Sequence, residues 1–174
     1  MIACKNSKIR LHEQIKVKKY MDKVIGIGEY VISNDPEDTI KTFALSSCVA
    51  LTAYHPKSKV LGMVHIALPS SKEKPVHNPF YYAESAVPEF LEKFSSEYGC
   101  NRPELEIKVF GGAESIRKRD YFHIGKRNVQ TILSILKHMN LPVRYCDIGG
   151  HISRNVIAEV ATGTVKVSCR PINF

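Results

Sequence analysis

A hydroxyl, a thiol and an imidazole lie close together in the stretch 42–69, TFALSSCVALTAYHPKSKVLGMVHIALP, as Thr42, Cys48 and His65. Cysteine in its thiolate form is a nucleophile, and a neutral imidazole beside it can take the thiol proton. Residues 49–54 (VALTAY) and 60–68 (VLGMVHIAL) are rich in β-branched and apolar types, and the HPKS segment at 55–58 has turn composition. That pattern predicts a β-hairpin. An even-length loop centred between Pro56 and Lys57 places Cys48 directly opposite His65. A two-residue loop (56–57) and a four-residue loop (55–58) give the same pairing. Opposed residues of an antiparallel pair share a face with Cβ atoms roughly 4.5–5.5 Å apart, a range over which the pair can exchange a proton.

Two further features support a nucleophilic site. Ser46 and Ser47 put small polar residues and backbone N–H groups where an oxyanion can be held. Thr42, six residues before Cys48 on the incoming strand, is placed to offer a hydroxyl or a carbonyl to the second imidazole nitrogen, fixing tautomer and orientation. The competing reading is a buried cysteine acting as a small hydrophobe beside a hydrogen-bonded core histidine.

The elements that must position these residues follow from periodicity and punctuation. Residues 23–32 (KVIGIGEYVI) are expected to form a first strand and 33–38 (SNDPED) a turn, with 40–45 leading into the Cys48 turn. Residues 70–79 form a polar, proline-interrupted loop, in which His77 is a candidate substrate contact or an exposed loop histidine. A helix is expected after Ser85 as its cap, with Pro88 in the first turn, an apolar stripe of Val87, Phe90, Leu91, Phe94 and Tyr98, and Gly99 as its stop. A strand follows at 105–109, ended by Gly111 and Gly112. Residues 113–125 are expected to hold a helical turn and a loop. A second helix is expected at about 128–139, then a strand at 143–148, and a last hairpin of 155–161 with 164–170. Mixed strands and two helices predict an α+β fold.

Composition narrows the function classes. The chain has 174 residues, 44% of them hydrophobic and 24% charged, enough for one domain with a genuine core. No apolar run reaches membrane-helix length, so no membrane insertion is expected. Residues 1–24 carry seven Lys or Arg against Glu13 and Asp22, so five of the net +8 charge lies there. The expected organisation is therefore a basic N-terminal arm over 1–22 and one domain over 23–174. A basic tail on a nearly balanced body, without a binding motif, argues against a nucleic-acid partner. The first twenty residues have no hydrophobic centre, and the five cysteines include no CxxC pair; reduced thiols in a cytoplasm are expected. No Walker loop, GxGxxG or HExxH occurs. Cys146 with His151 lacks partners at ligand spacing, so no metal and no organic cofactor is expected.

Blocks spread along the chain then become recognisable: VIGIGEY (24–30), TFALSSCVALTAYHP (42–56), GMVHIALP (62–69), YAESAV (82–87), KVFGGA (108–113), IGKRNV (124–129), DIGGHISRNV (147–156) and TGTVKV (162–167). Together, and in this order, they resemble CheD, the family of chemoreceptor glutamine deamidases of chemotaxis. The resemblance implies that Cys48 is the nucleophile, His65 the base and Thr42 the third member of a triad. It implies a fold like that of toxin-type cysteine deamidases, two mixed β-sheets packed together with helices outside (three-layer α/β/β). It further implies a protein-glutamine glutaminase acting on methyl-accepting chemoreceptors, and a CheC-type phosphatase as partner. A non-catalytic adaptor that regulates such a phosphatase by binding alone is the alternative. The family's usual glycine before Ser-Cys is Ser46 in this chain, and a serine there has to fit the backbone angles of the turn. A serine also stands in place of glycine at Ser153.

Overall fold

The computed structural model describes residues 21–72, 77–115 and 121–172. In chain order the elements are β1 (Met21–Val24), β2 (Tyr30–Ser33), β3 (Asp38–Leu45), β4 (Val49–His55), β5 (Val60–Ile66), α1 (Ala83–Tyr98), β6 (Glu106–Gly111), α2 (Ile124–His138), β7 (Val143–Ile148), β8 (Ile152–Glu159) and β9 (Val165–Pro171). One sheet has the order β1-β3-β8-β9 and the other β2-β5-β4-β6-β7. Both are mixed: β1 and β3 run parallel, as do β6 and β7, and the other neighbours are antiparallel. Among the described residues no helix is long and apolar enough to cross a membrane.

Two apolar cores make three layers. Between the sheets lie Ile40, Leu45, Ala50, Leu61, Met63, Phe110, Val156 and Ala158. On the other face of the five-stranded sheet, Val49, Leu51, Val64 and Ile66 meet Phe90, Leu91 and Phe94 of α1 and Ile132 and Leu136 of α2. β4 and β5 are therefore buried on both faces, and their sequences are largely apolar runs, broken by Thr52, His55 and His65, rather than alternating. β8 buries only Arg154, Val156 and Ala158 in alternate positions, as befits a sheet with one outward face.

Among the departures from the sequence expectation, three concern the elements that frame the site. The expected strand over 23–32 is two strands in different sheets. A turn from Gly26 to Glu29 separates them, with the Glu29 N–H on the Gly26 carbonyl (3.1 Å) and the Gly26 N–H on the Glu29 carboxylate (2.7 Å). α1 starts ahead of the expected Ser85 cap. The N–H groups of Ala83 and Glu84 donate to the carbonyls of Leu68 (2.8 Å) and Pro69 (3.2 Å), so chain from the hairpin's exit caps the helix, and Pro88 sits inside it. α2 begins at Ile124, earlier than the expected 128, with His123 in the left-handed region (φ 44°). The basic arm over 1–22 lies outside the described residues up to residue 20, and Met21 and Asp22 begin β1. The expected helical turn and loop over 113–125 lies partly outside them too.

Phe90 has no exposed surface and packs edge-on against Phe94 (centroids 5.4 Å apart) and Tyr30 (6.3 Å). Truncation leaves a cavity between helix and sheet. Phe90→Ala should cost about 3–5 kcal/mol, read as a lower urea midpoint with an unchanged slope.

Candidate active site

Thr42 lies on β3 of the four-stranded sheet and His65 on β5 of the five-stranded sheet, and their side chains meet between the sheets. Thr42 is fully buried and His65 is 4% exposed. The Thr42 hydroxyl donates to the carbonyl of Ile25 (3.0 Å) and contacts His65 Nδ1 at 2.9 Å. A hydroxyl has one proton to give. With that proton on Ile25, Thr42 accepts from His65, so Nδ1 carries the hydrogen and Nε2 holds the lone pair. Nε2 is buried and has no hydrogen-bond partner. The backbone of His65 is held as firmly: its carbonyl accepts from the Gly28 N–H (2.8 Å), and its N–H donates to the Glu29 carbonyl (3.0 Å).

Cys48 is not directly opposite His65. The ladder pairs Ala50 with His65 and Val49 with Ile66, and the loop spans 56–59. The cause is in the turn: the Ser58 hydroxyl and N–H both engage His55 Nδ1 (2.6 and 3.3 Å), and Lys59 takes φ 52° before β5 starts. The register moves by two positions, which keeps side chains on the same face because strand periodicity is two. Cys48, half-buried, packs against the core between the sheets with Ala50 and Met63. It stands diagonally from His65, on the face that carries His65 toward Thr42; diagonal neighbours are generally ~7–8 Å apart.

Between β3 and β4 the turn is strained at Ala44 rather than at Ser46. A bulge puts Phe43 and Ala44 opposite Asn155, Ala44 has φ 56°, and the Asn155 side chain accepts the Ala44 N–H at 2.9 Å. Ser46 stays outside the left-handed region, so the turn accommodates its side chain. The carbonyls of Ser46, Ser47 and Cys48 are all engaged, by the Ala113 N–H (2.7 Å), Asn128 Nδ2 (2.9 Å) and the Gly112 N–H (2.8 Å). Among the described residues none of the three N–H groups meets an acceptor, which suits them to a developing oxyanion.

Sequence reasoning missed the residues that hold this turn from behind. Asn128 is wholly buried in α2 and also donates to the Ala67 carbonyl (2.8 Å). Gly111, at φ 106°, approaches so closely that a Cβ there would lie 2.3 Å from the Cys48 carbonyl oxygen. A buried polar residue on an otherwise apolar helix face and a Gly-Gly pair ending a strand were the available signals. The other candidates do not join the site. His77 is exposed. His151 donates from Nδ1 to the Glu114 carbonyl (3.2 Å), and no group of three or more metal-ligating side chains occurs among the described residues.

Two mixed sheets enclosing a hydroxyl and an imidazole, with a thiol on the same face, define an α+β protein with the groups of a cysteine–histidine hydrolase. Comparison with known proteins narrows the class. The family model described as CheD chemotactic sensory transduction matches residues 67–169. A Syntrophotalea carbinolica protein named as a probable chemoreceptor glutamine deamidase CheD is 42% identical over 153 residues, spanning 85% of this chain and 94% of the relative. The chemoreceptor glutamine deamidase CheD of Thermotoga maritima is 37% identical over 147 residues, 84% of this chain and 91% of its own. The chain belongs to the CheD family. Thr42, Cys48 and His65 precede the span matched by the family model. Among solved structures, YfiH of Bacillus licheniformis aligns at a TM-score of 0.44 and 10% identity, over 70% of this chain and 49% of its own, too distant to carry an argument.

Burial sets the resting protonation of the pair. It pushes the Cys48 thiol up to about 11. It holds the His65 imidazole down to about 4, with the Glu29 carboxylate pulling the other way. Both groups are therefore neutral at pH 7. An unfolded histidine titrates near ~6.5, so between that value and 4 the unfolded chain binds a proton that the folded chain refuses. The contribution of His65 to stability is complete above pH 6.5 and lost as pH falls, by about 2–3 kcal/mol at pH 4.5. Urea denaturation at pH 7 and pH 4.5 should show His65→Asn losing that much less stability than the wild type on acidification.

Proposed function

We propose that this protein is a glutamine deamidase of methyl-accepting chemoreceptors, working in the cytoplasm, with Cys48 as nucleophile, His65 as general base and acid, and Thr42 as the group that orients the imidazole. The observation that carries this reading is the chain from the Ile25 carbonyl through Thr42 to His65 Nδ1, which leaves a bare, buried Nε2 on the face shared with Cys48. Membership of the CheD family, and the names of its relatives, support the substrate class.

The chemistry starts from the neutral pair. As Cys48 Sγ attacks the side-chain carbonyl carbon of a glutamine, the thiol proton passes to His65 Nε2. The carbonyl oxygen becomes an oxyanion within reach of the N–H groups of Ser46, Ser47 and Cys48. The imidazolium then gives its proton to the departing nitrogen, which leaves as ammonia, and a thioester remains on Cys48. Water adds to the thioester, losing a proton to Nε2, and the thiol is released with glutamate as product. Thr42 accepts the Nδ1 hydrogen throughout, and the Glu29 carboxylate favours the transient positive charge. The product carries a negative charge on the receptor where the substrate was neutral. The family resemblance supports a CheC-type phosphatase as a binding partner.

Incubation of the full chain with a receptor cytoplasmic fragment, followed by mass spectrometry of glutamine-to-glutamate conversion, tests this. Wild type should convert discrete glutamines with release of ammonia. Cys48→Ala should convert none, His65→Ala should lose at least ~10²-fold, and Thr42→Ala roughly 10- to 100-fold through misorientation of the ring. Conversion by Cys48→Ala at the wild-type rate sinks the proposal. If such a variant also retains a CheC-type phosphatase, the adaptor reading replaces it.

A further inference from the structure

We infer that Asn128 is a positioning residue for this deamidation: its buried side-chain amide ties the carbonyl just before Cys48 to a carbonyl just beyond His65, and so sets the span between nucleophile and base. The inference rests on the catalytic reading above and deepens it.

The β4–β5 ladder ends where Val49 pairs with Ile66. Cys48 and Ala67, the next positions outward, lie beyond the two strands. At that gap Asn128 Nδ2 uses both its hydrogens, one on the Ser47 carbonyl (2.9 Å) and one on the Ala67 carbonyl (2.8 Å). The two N–H bonds of an amide nitrogen diverge in a rigid plane, so a single side chain fixes how far apart the two chains run. It does so without exposure, at 0% of its accessible surface. His65 does not need this support, because Thr42, Gly28 and Glu29 already hold its ring and backbone. The effect of losing Asn128 should therefore fall on the Cys48 turn.

The other end of the amide points to the same role. Asn128 Oδ1 is buried and has no hydrogen-bond partner. Leaving a buried acceptor unsatisfied is unfavourable, and a side chain selected for stability alone would avoid it. What the residue gains is two donors at the one place where the hairpin has no ladder. With the Ala113 and Gly112 N–H groups on the carbonyls of Ser46 and Cys48, it draws all three carbonyls of the turn to one side. Because a trans peptide points each N–H away from the carbonyl before it, the N–H groups of Ser47 and Cys48 are left on the other side.

The test uses the full chain, a receptor cytoplasmic fragment and iodoacetamide, with alkylation mapped to Cys48 by mass spectrometry. Asn128→Asp keeps the size of the side chain but presents oxygens to both carbonyls, and Asn128→Ala removes the fork. Both should lower kcat roughly 10- to 100-fold, the scale on which small displacements of reacting groups act, with KM within about threefold. The pH midpoint of Cys48 alkylation should move down toward that of an ordinary thiol, because a loosened turn admits water to the sulfur. Leu136→Ala, buried on the same helix away from the turn, should lower the melting temperature at least as far yet leave kcat and the alkylation profile unchanged. Folded Asn128 variants with wild-type kcat and alkylation overturn the inference. So does loss of folding in both while Leu136→Ala folds, since the role is then structural. If the wild type converts no glutamine but the Asn128 variants still shift Cys48 alkylation, the positioning role stands and the substrate reading fails.

Discussion

The hydrogen bond between Thr42 and His65 joins the two sheets at the point where the chemistry is proposed to occur. It has to form in a layer otherwise filled by Ile40, Leu45, Met63, Phe110 and Val156. Two polar side chains survive there only because each finds partners: Thr42 gives its proton to Ile25 and accepts the proton of His65. The arrangement requires β3 and β5 to come from different sheets, and it requires the segment after β1 to bring the Ile25 carbonyl inward. The Gly26–Glu29 turn does this. It carries the chain from one sheet to the other and hydrogen-bonds the backbone of His65 on the way. A turn that looks like a simple connection is thus part of the machinery that selects the imidazole tautomer.

Burial of this pair has two opposing consequences. It holds the imidazole neutral and the thiol protonated, which lowers the standing concentration of thiolate. It also removes the competing hydration of charges, so the proposed proton transfer from Cys48 to Nε2 and the proposed oxyanion donors would act in a low-dielectric setting where each interaction is stronger. A permanently ionised thiolate would be open to oxidation and alkylation. A neutral resting pair that ionises only against a bound amide suits an enzyme whose substrate is one uncharged side chain on a large protein.

Much of the fold was legible in residue patterns. The apolar runs of β4 and β5, buried on both faces, the alternation of β6 and the stripe on α1 are all visible as residue patterns, because each reflects where its side chains are buried. What misled was where local pattern and tertiary partner disagree. Alternating Ile and Gly over 24–28 reads as one strand, yet the glycines serve a crossing between sheets. The start of α1 carries no side-chain cap because the hairpin's exit supplies the carbonyls. The hairpin register was off by two, since the contact of His55 with Ser58 is a side-chain preference that turn composition does not reveal. The face survived the error because a shift of two preserves it. Thr42, Cys48 and His65 could be proposed from types and spacing, whereas the contacts of Asn128 could not, since its partners are backbone carbonyls far from it in sequence.

Division of labour between the two sheets follows from these contacts. The five-stranded sheet is covered by both helices and carries His65, the proposed base, on a strand buried on both faces. Cys48 lies instead on the short connection that leaves the four-stranded sheet through a bulge at Phe43 and Ala44 and enters β4. That connection is fastened from behind at three successive carbonyls by Ala113, Asn128 and Gly112, all belonging to the helix layer and the end of β6. Cys48, the proposed nucleophile, therefore sits on a turn, where N–H groups can face a ligand, yet it is fastened to the same layer that carries His65. A turn pinned through its carbonyls is the arrangement that keeps donors free without letting the sulfur drift.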